Sequence, residues 1–150
     1  MDIKQLTAGS TVWLPIEVEG GLFSVGDGHA AQGDGEVCVT AIECGLTSVL
    51  RFSLRTDLHL ETPELRTSGP LTPRTNTAGW HATTGIAPDL MEAARAATRA
   101  MIAYLGREHG LSREDAYILC SVAVDLKISE VVDAPNWIVS AFLPLSIFHQ

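Results

Sequence analysis

Residues 26–36 read Gly-Asp-Gly-His-Ala-Ala-Gln-Gly-Asp-Gly-Glu, and no other segment restricts the fold of the chain as much. Four glycines in ten positions free the backbone to adopt positive φ and to approach a ligand closely. The run therefore reads as a loop, and it divides two β-prone segments. Upstream, Thr11–Glu19 is rich in β-formers and predicts a strand, with Pro15 placing it at an edge or a bulge. Downstream, Glu36–Glu43 holds Val37, Val39 and Ile42 and predicts a second strand. Val49–Leu54 puts Leu50, Phe52 and Leu54 on one face, which predicts a third. Residues 45–48 could turn the chain between these two as a hairpin, and His59–Glu61 extends the sheet.

The second half follows a different pattern. Residues 62–79 carry Pro63, Pro70 and Pro73 with many threonines and predict a long ordered loop holding at most one short strand. Pro88–Glu108 predicts a helix, with Asp89 suited to its positive end, Leu90, Ala94, Ala97, Met101 and Leu105 at helical spacing, and Gly110 as its stop. Ser112 to Asp115 resembles a capping box and opens a helix over Arg113–Val124, with Ala116, Leu119 and Ala123 inward. Glu130–Asp133 and Trp137–Leu143 predict two short strands split by a turn at Ala134-Pro135-Asn136. Strands, then helices, then strands give an α+β class: a β-rich sheet or sandwich core with two consecutive helices packed on it, in one domain of 150 residues.

The 26–36 run carries more chemistry than a turn requires. Asp27, Asp34 and Glu36 supply carboxylates, His29 an imidazole and Gln32 a carboxamide. Asp-Gly pairs also mark plain turns, so residue types alone leave turn and site equally open. A dinucleotide fingerprint fails because no G-x-G-x-x-G opens a helix, and a phosphate loop fails for lack of Gly-Lys-Ser/Thr. An EF-hand fails on spacing. Asp27, His29 and Asp34 are suitable ligands for a divalent metal, and Glu36 or His29 could serve as a base. The net charge of −8 argues against a nucleic-acid partner. No apolar run reaches the roughly 18–20 residues of a bilayer span, and the first residues lack the apolar stretch of a secretory signal. The three cysteines, Cys38, Cys44 and Cys120, form no C-x-x-C pair, which fits reduced thiols and a cytoplasmic location.

The stretch Phe23–Cys38 resembles the signature of the acetamidase/formamidase family. The likeness continues through Leu14-Pro15, Thr40-Ala41-Ile42-Glu43, Thr83-Thr84-Gly85, Leu111 to Asp125, and Ile128 to Asp133. That resemblance implies hydrolysis of short aliphatic amides, formamide and acetamide, to a carboxylate and ammonia. It also implies a β-rich fold with flanking helices, a homo-oligomer, and a divalent metal, zinc or calcium. Carried over, His29, Asp34 and Glu36 are the catalytic candidates. Asp27, His29 and Asp34 are the metal ligands, and Gln32, Gly33 and Gly28 contact substrate. Val39 stands where the family pattern has Gly. Family members are about twice as long, and Met1-Asp2-Ile3 looks like the end of a Gly-Gly-Asn-x-Asp motif. The chain is therefore expected to resemble a C-terminal half. The alternative is a non-catalytic homologue or subunit that binds metal or a small ligand and needs a separate N-terminal half for activity.

Other polar residues read as structural. Cys38 is expected in a strand as a core thiol, and Cys120 on the apolar side of a helix. His81 either lines the pocket or is a satisfied structural histidine. His59, His109 and His149 look like surface positions. Asp125 and Glu130 gain interest because they fall in family-like stretches.

Overall fold

The computed structural model describes residues 2–69, 71 and 78–148; Pro70, Pro73 and His149 lie outside them. Its centre is a three-stranded antiparallel sheet in the order β5-β7-β6, with β5 at Trp80–Ala87, β6 at Asp125–Glu130 and β7 at Trp137–Pro144. Helices α1 (Leu90–His109) and α2 (Arg113–Ala123) connect β5 to β6 and pack on the sheet. The remaining strands are short: β1 (Thr11–Trp13) pairs with β4 (Glu64–Arg66), and β2 (His29–Ala31) with β3 (Ile42–Glu43). The α+β class with two consecutive helices on a sheet is the observed architecture.

Both helices begin and end on local signals. The Asp89 carboxylate accepts from the Glu92 N–H at 2.9 Å, and Gly110 closes α1 in the left-handed region at φ 67°. The Ser112 hydroxyl accepts from the Asp115 N–H at 3.0 Å and caps α2. The inward face of α1 is Ala93, Ala97, Met101 and Leu105, all fully buried. They meet Val139, Ala141 and Leu143, which alternate along the central strand β7. Gly85 lets β5 come this close: a Cβ there would lie 2.0 Å from the Ala93 carbonyl oxygen.

Several strand expectations are corrected. Thr11–Glu19 is a strand only over Thr11–Trp13, and of Glu36–Glu43 only Ile42–Glu43 is one, so Cys38 lies outside any strand. Positive φ at Glu36 (41°), Val39 (81°) and Ala41 (46°) breaks the second segment. Val49–Leu54 and His59–Glu61 form no strand and no hairpin. The final hairpin uses Asp125–Glu130 rather than Glu130–Asp133, which is a turn held by the Glu130 carboxylate at the Val132 and Asp133 N–H groups. Strand β5 at Trp80–Ala87 adds to the expected strands. The one short strand expected in the 62–79 loop is β4. Its Arg66 guanidinium lies 5.4 Å from the Trp13 ring on β1.

Candidate active site

The loop is held to the packed half of the molecule by hydrogen bonds and by Val37, which packs against the core. The Gly33 N–H donates to the Ser121 carbonyl at 2.8 Å, and the Leu126 N–H donates to the Asp34 carbonyl at 3.1 Å. The buried Asp125 carboxylate accepts the Asp34 N–H at 3.0 Å and also the Lys4 ammonium. The Ser121 hydroxyl accepts the Ala41 N–H at 3.1 Å, and Tyr117 donates its hydroxyl proton to the Val37 carbonyl. Such an approach requires glycine at position 33, where a Cβ would sit 2.2 Å from the Val124 carbonyl oxygen. The end of α2 and the start of β6 thus set where residues 33–41 run.

His29 sits on β2 with only 9% of its side chain exposed. Its Nδ1 lies 3.0 Å from the Asp27 carbonyl, and its Nε2 lies 3.2 Å from both the Thr40 carbonyl and the Glu36 Oε1. Each ring nitrogen therefore faces an acceptor, and only the doubly protonated ring satisfies both sides. Burial pulls the pKa of His29 down. The Asp27 carbonyl and carboxylate, the Thr40 carbonyl and the Glu36 charge outweigh it, and the net shift is upward. Glu36 is held on its other oxygen by the Gln32 carboxamide, at 3.2 Å. His29, Glu36, Gln32 and Asp27 thus form one cluster.

Asp34 points elsewhere. Its carboxylate accepts from Gln5 Nε2 at 2.9 Å and lies 3.5 Å from Lys4 Nζ and 3.7 Å from Lys127 Nζ. The structure brings Glu43 to the cluster in its place, because the β2–β3 register sets His29 opposite Glu43. Ligand atoms of Asp27, His29 and Glu43 all lie within 4.8 Å of one another, so these three residues could hold a metal ion. Gly33 is buried with its N–H committed to Ser121, and the Gly28 carbonyl accepts the Cys44 N–H at 2.7 Å. Sequence reasoning singled out neither Glu43 nor Lys4, and the pairings that recruit them leave no local signal.

Cys38 lies half-buried just beyond the loop. Burial raises its pKa, but hydrogen bonds with the Ser121 and Thr40 side chains and the Thr40 and Ala41 backbone lower it further than burial raises it. Cys120 behaves as the expected core thiol, with burial and then the nearby Cys38 pushing its pKa up to about 12. His81 stacks on Tyr104 at 3.5 Å and His109 on Phe148 at 3.7 Å, so both are packed rather than free surface groups.

The sequence profile of the Acetamidase/Formamidase family matches residues 1–150. A formamidase of Methylophilus methylotrophus is 34% identical over 162 residues, which cover 98% of this chain and 39% of that protein. An acetamidase of Mycolicibacterium smegmatis is 51% identical over 45 residues, 29% of this chain and 11% of that protein. The solved gamma lactamase from Delftia acidovorans superposes with a TM-score of 0.79 at 32% identity, over 98% of this chain and 39% of its own.

Proposed function

The chain belongs to the Acetamidase/Formamidase family, and from that premise we propose that it carries the reactive loop of an enzyme that hydrolyses short aliphatic amides, formamide and acetamide among them. The observation that carries this reading is the His29–Glu36 pair at 3.2 Å, steadied by Gln32 and Asp27. Glu36 removes a proton from water as the oxygen forms its bond to the amide carbon. The His29 Nε2–H orients the Glu36 carboxylate and returns a proton to the nitrogen as the C–N bond breaks. Ammonia leaves, and the acyl group remains as a carboxylate. Gln32 positions the amide, while Gly28 and Gly33 let the loop lie close against Leu46 and Val124. Asp34 steadies the loop through its contacts with Gln5, Lys4 and Lys127.

Asp27 and Glu43 would hold a divalent cation together with His29 once its Nδ1 proton is displaced, and two carboxylates with one imidazole suit zinc better than calcium, which takes oxygen ligands. Such an ion would supply polarisation of the amide carbonyl. The free Cys38, Cys44 and Cys120 fit a reducing compartment, and we place the protein in the cytoplasm. No helix among the described residues is long and apolar enough to cross a membrane.

Replacing Glu36 by Gln in the active enzyme should lower kcat by at least about a hundredfold, the usual size of a lost general base. Ammonia release at near-normal rate from that variant would remove Glu36 from the mechanism.

A second reading has its own support. The chain spans 39% of the length of the formamidase it matches, and Leu22, Val49, Phe52 and Leu54 are exposed apolar residues. On this reading the chain binds metal or a small ligand as a subunit, in a homo-oligomer or with a complementary N-terminal half, and is inactive without that partner. Ammonia release from the purified chain alone would sink it. Release only after a second polypeptide is added would establish a split enzyme.

A further inference from the structure

His29 and Gln32 of the site cluster line a cleft larger than the smallest substrates need. It holds about 420 Å³, with Lys4, Asp125, His29 and Gln32 in its polar lining and Trp80, Pro144 and Ile147 in its apolar lining. On water's share of about 30 Å³ per heavy atom, formamide would occupy roughly 90 Å³. Most of the cleft would then stay wet against an indole and two aliphatic side chains. That is a poor use of an apolar wall, since ligand sites gain by covering such surface.

The wall is built on the rigid part of the fold. Trp80 opens β5 directly opposite Pro144 in β7, and its ring meets Phe142 edge-on at 6.4 Å. The Leu145 N–H donates to the Gly79 carbonyl at 2.9 Å, which fixes the chain on both sides of this corner. Ile147 lies in the short 3₁₀ turn Leu145–Ile147 that follows β7. His29 and Gln32 reach the same cleft from the site loop, so a molecule lying against the wall can present its amide to them.

We propose that Trp80, Pro144 and Ile147 form the acyl-binding wall of the site, and that the preferred substrates are primary amides with an apolar acyl group larger than acetyl, such as isobutyramide. The proposal rests on the amide-hydrolase reading and adds the substrate class. Trp80 is its specificity-determining residue.

The test compares kcat/KM for formamide, acetamide and isobutyramide in the active enzyme, beside calorimetric binding of isobutyramide to the 150-residue chain. Isobutyramide is expected to exceed acetamide by at least about tenfold, the discrimination one to two carbons give in an apolar pocket. Trp80→Ala should lower the isobutyramide-to-formamide ratio by at least about tenfold, and Trp80→Phe should restore part of it. Ile147→Ala, a truncation at a side chain 37% exposed, should lower the ratio in the same direction without a folding cost. Turnover with formamide favoured, or a ratio unmoved by both truncations, overturns the wall and leaves amide hydrolysis standing. Trp80-dependent binding of isobutyramide without turnover of any amide supports the wall and overturns hydrolysis. Neither binding nor turnover overturns both.

Discussion

The two halves of the molecule divide the packed core from the candidate site. All the buried apolar core residues among those described, from Ala93 to Leu143, belong to the helices, to β7 or to the Val124 cap of α2. Residues 2–69 contain the His29–Glu36 cluster and almost no interior: Leu22, Val49 and Leu54 expose 80%, 95% and 72% of their surface. The C-terminal half closes its own core by bringing a helix face onto a sheet. The N-terminal half gains its order by attachment, through Gly33 and Ala41 to Ser121 and through Asp34 to Asp125 and Leu126. A candidate site on a borrowed scaffold follows: the groups proposed to react sit on a loop, and the strand and helix ends beneath position it.

Removing interior volume from each half would break this contrast most directly. Leu105→Ala deletes a fully buried side chain between α1 and the rest of the core. It should cost about 2–5 kcal/mol in denaturant unfolding of the chain. Phe52→Ala removes a larger side chain that is 68% exposed and touches Phe23 edge-on at 5.0 Å. It should cost no more than about 0.5 kcal/mol in the same chain. Similar losses for the two variants would mean that the N-terminal half has a core of its own.

Gly33→Ala examines the attachment itself. The added methyl group would meet the Val124 carbonyl at 2.2 Å, so loop and scaffold must separate. A cost of about 1–3 kcal/mol is expected, with the helical core intact by circular dichroism. Amide exchange should speed up at Gly33, Glu36 and Ala41 and stay slow through α1. Unchanged exchange at these positions would show that the loop does not depend on its contact with α2.

Legibility in the sequence follows the same division. Helix ends are written locally, so Asp89, Gly110 and Ser112 mark α1 and α2 to within about two residues. Strand β7 is readable because Ile138, Val139, Phe142 and Leu143 form a dense apolar run. Strand β5 is not, since Trp-His-Ala-Thr-Thr-Gly-Ile-Ala carries no alternation; it is a strand because β7 pairs with it and Gly85 admits α1. Conversely, Val49–Leu54 has the alternation but no partner among the described residues, and propensity without a partner makes no ladder. In the site, Asp27, His29, Gln32 and Glu36 were readable because one glycine-rich loop carries them. Glu43 and Asp125 reach it across a strand register and a 91-residue separation, which local sequence does not encode.

The finest difference between the halves is their response to pH. The C-terminal core is held by apolar burial, whereas His29 is held by acceptors on both ring nitrogens. Its folded pKa lies above the unfolded value of 6.5, so the folded state binds the proton more tightly. The stabilisation from His29 is therefore complete below about pH 6.5, the unfolded value, and is lost as pH rises through the folded value. A His29→Gln variant should fall furthest below the parent in melting temperature near about pH 6, and the gap should narrow towards about pH 9. The Leu105→Ala gap should change little over that range, because no proton is taken up or released at that side chain. A His29 gap that stays constant or widens with pH would mean that the ring is held as the neutral imidazole. In that case Glu36 faces an N–H without a full positive charge behind it, and the pair serves orientation rather than proton supply.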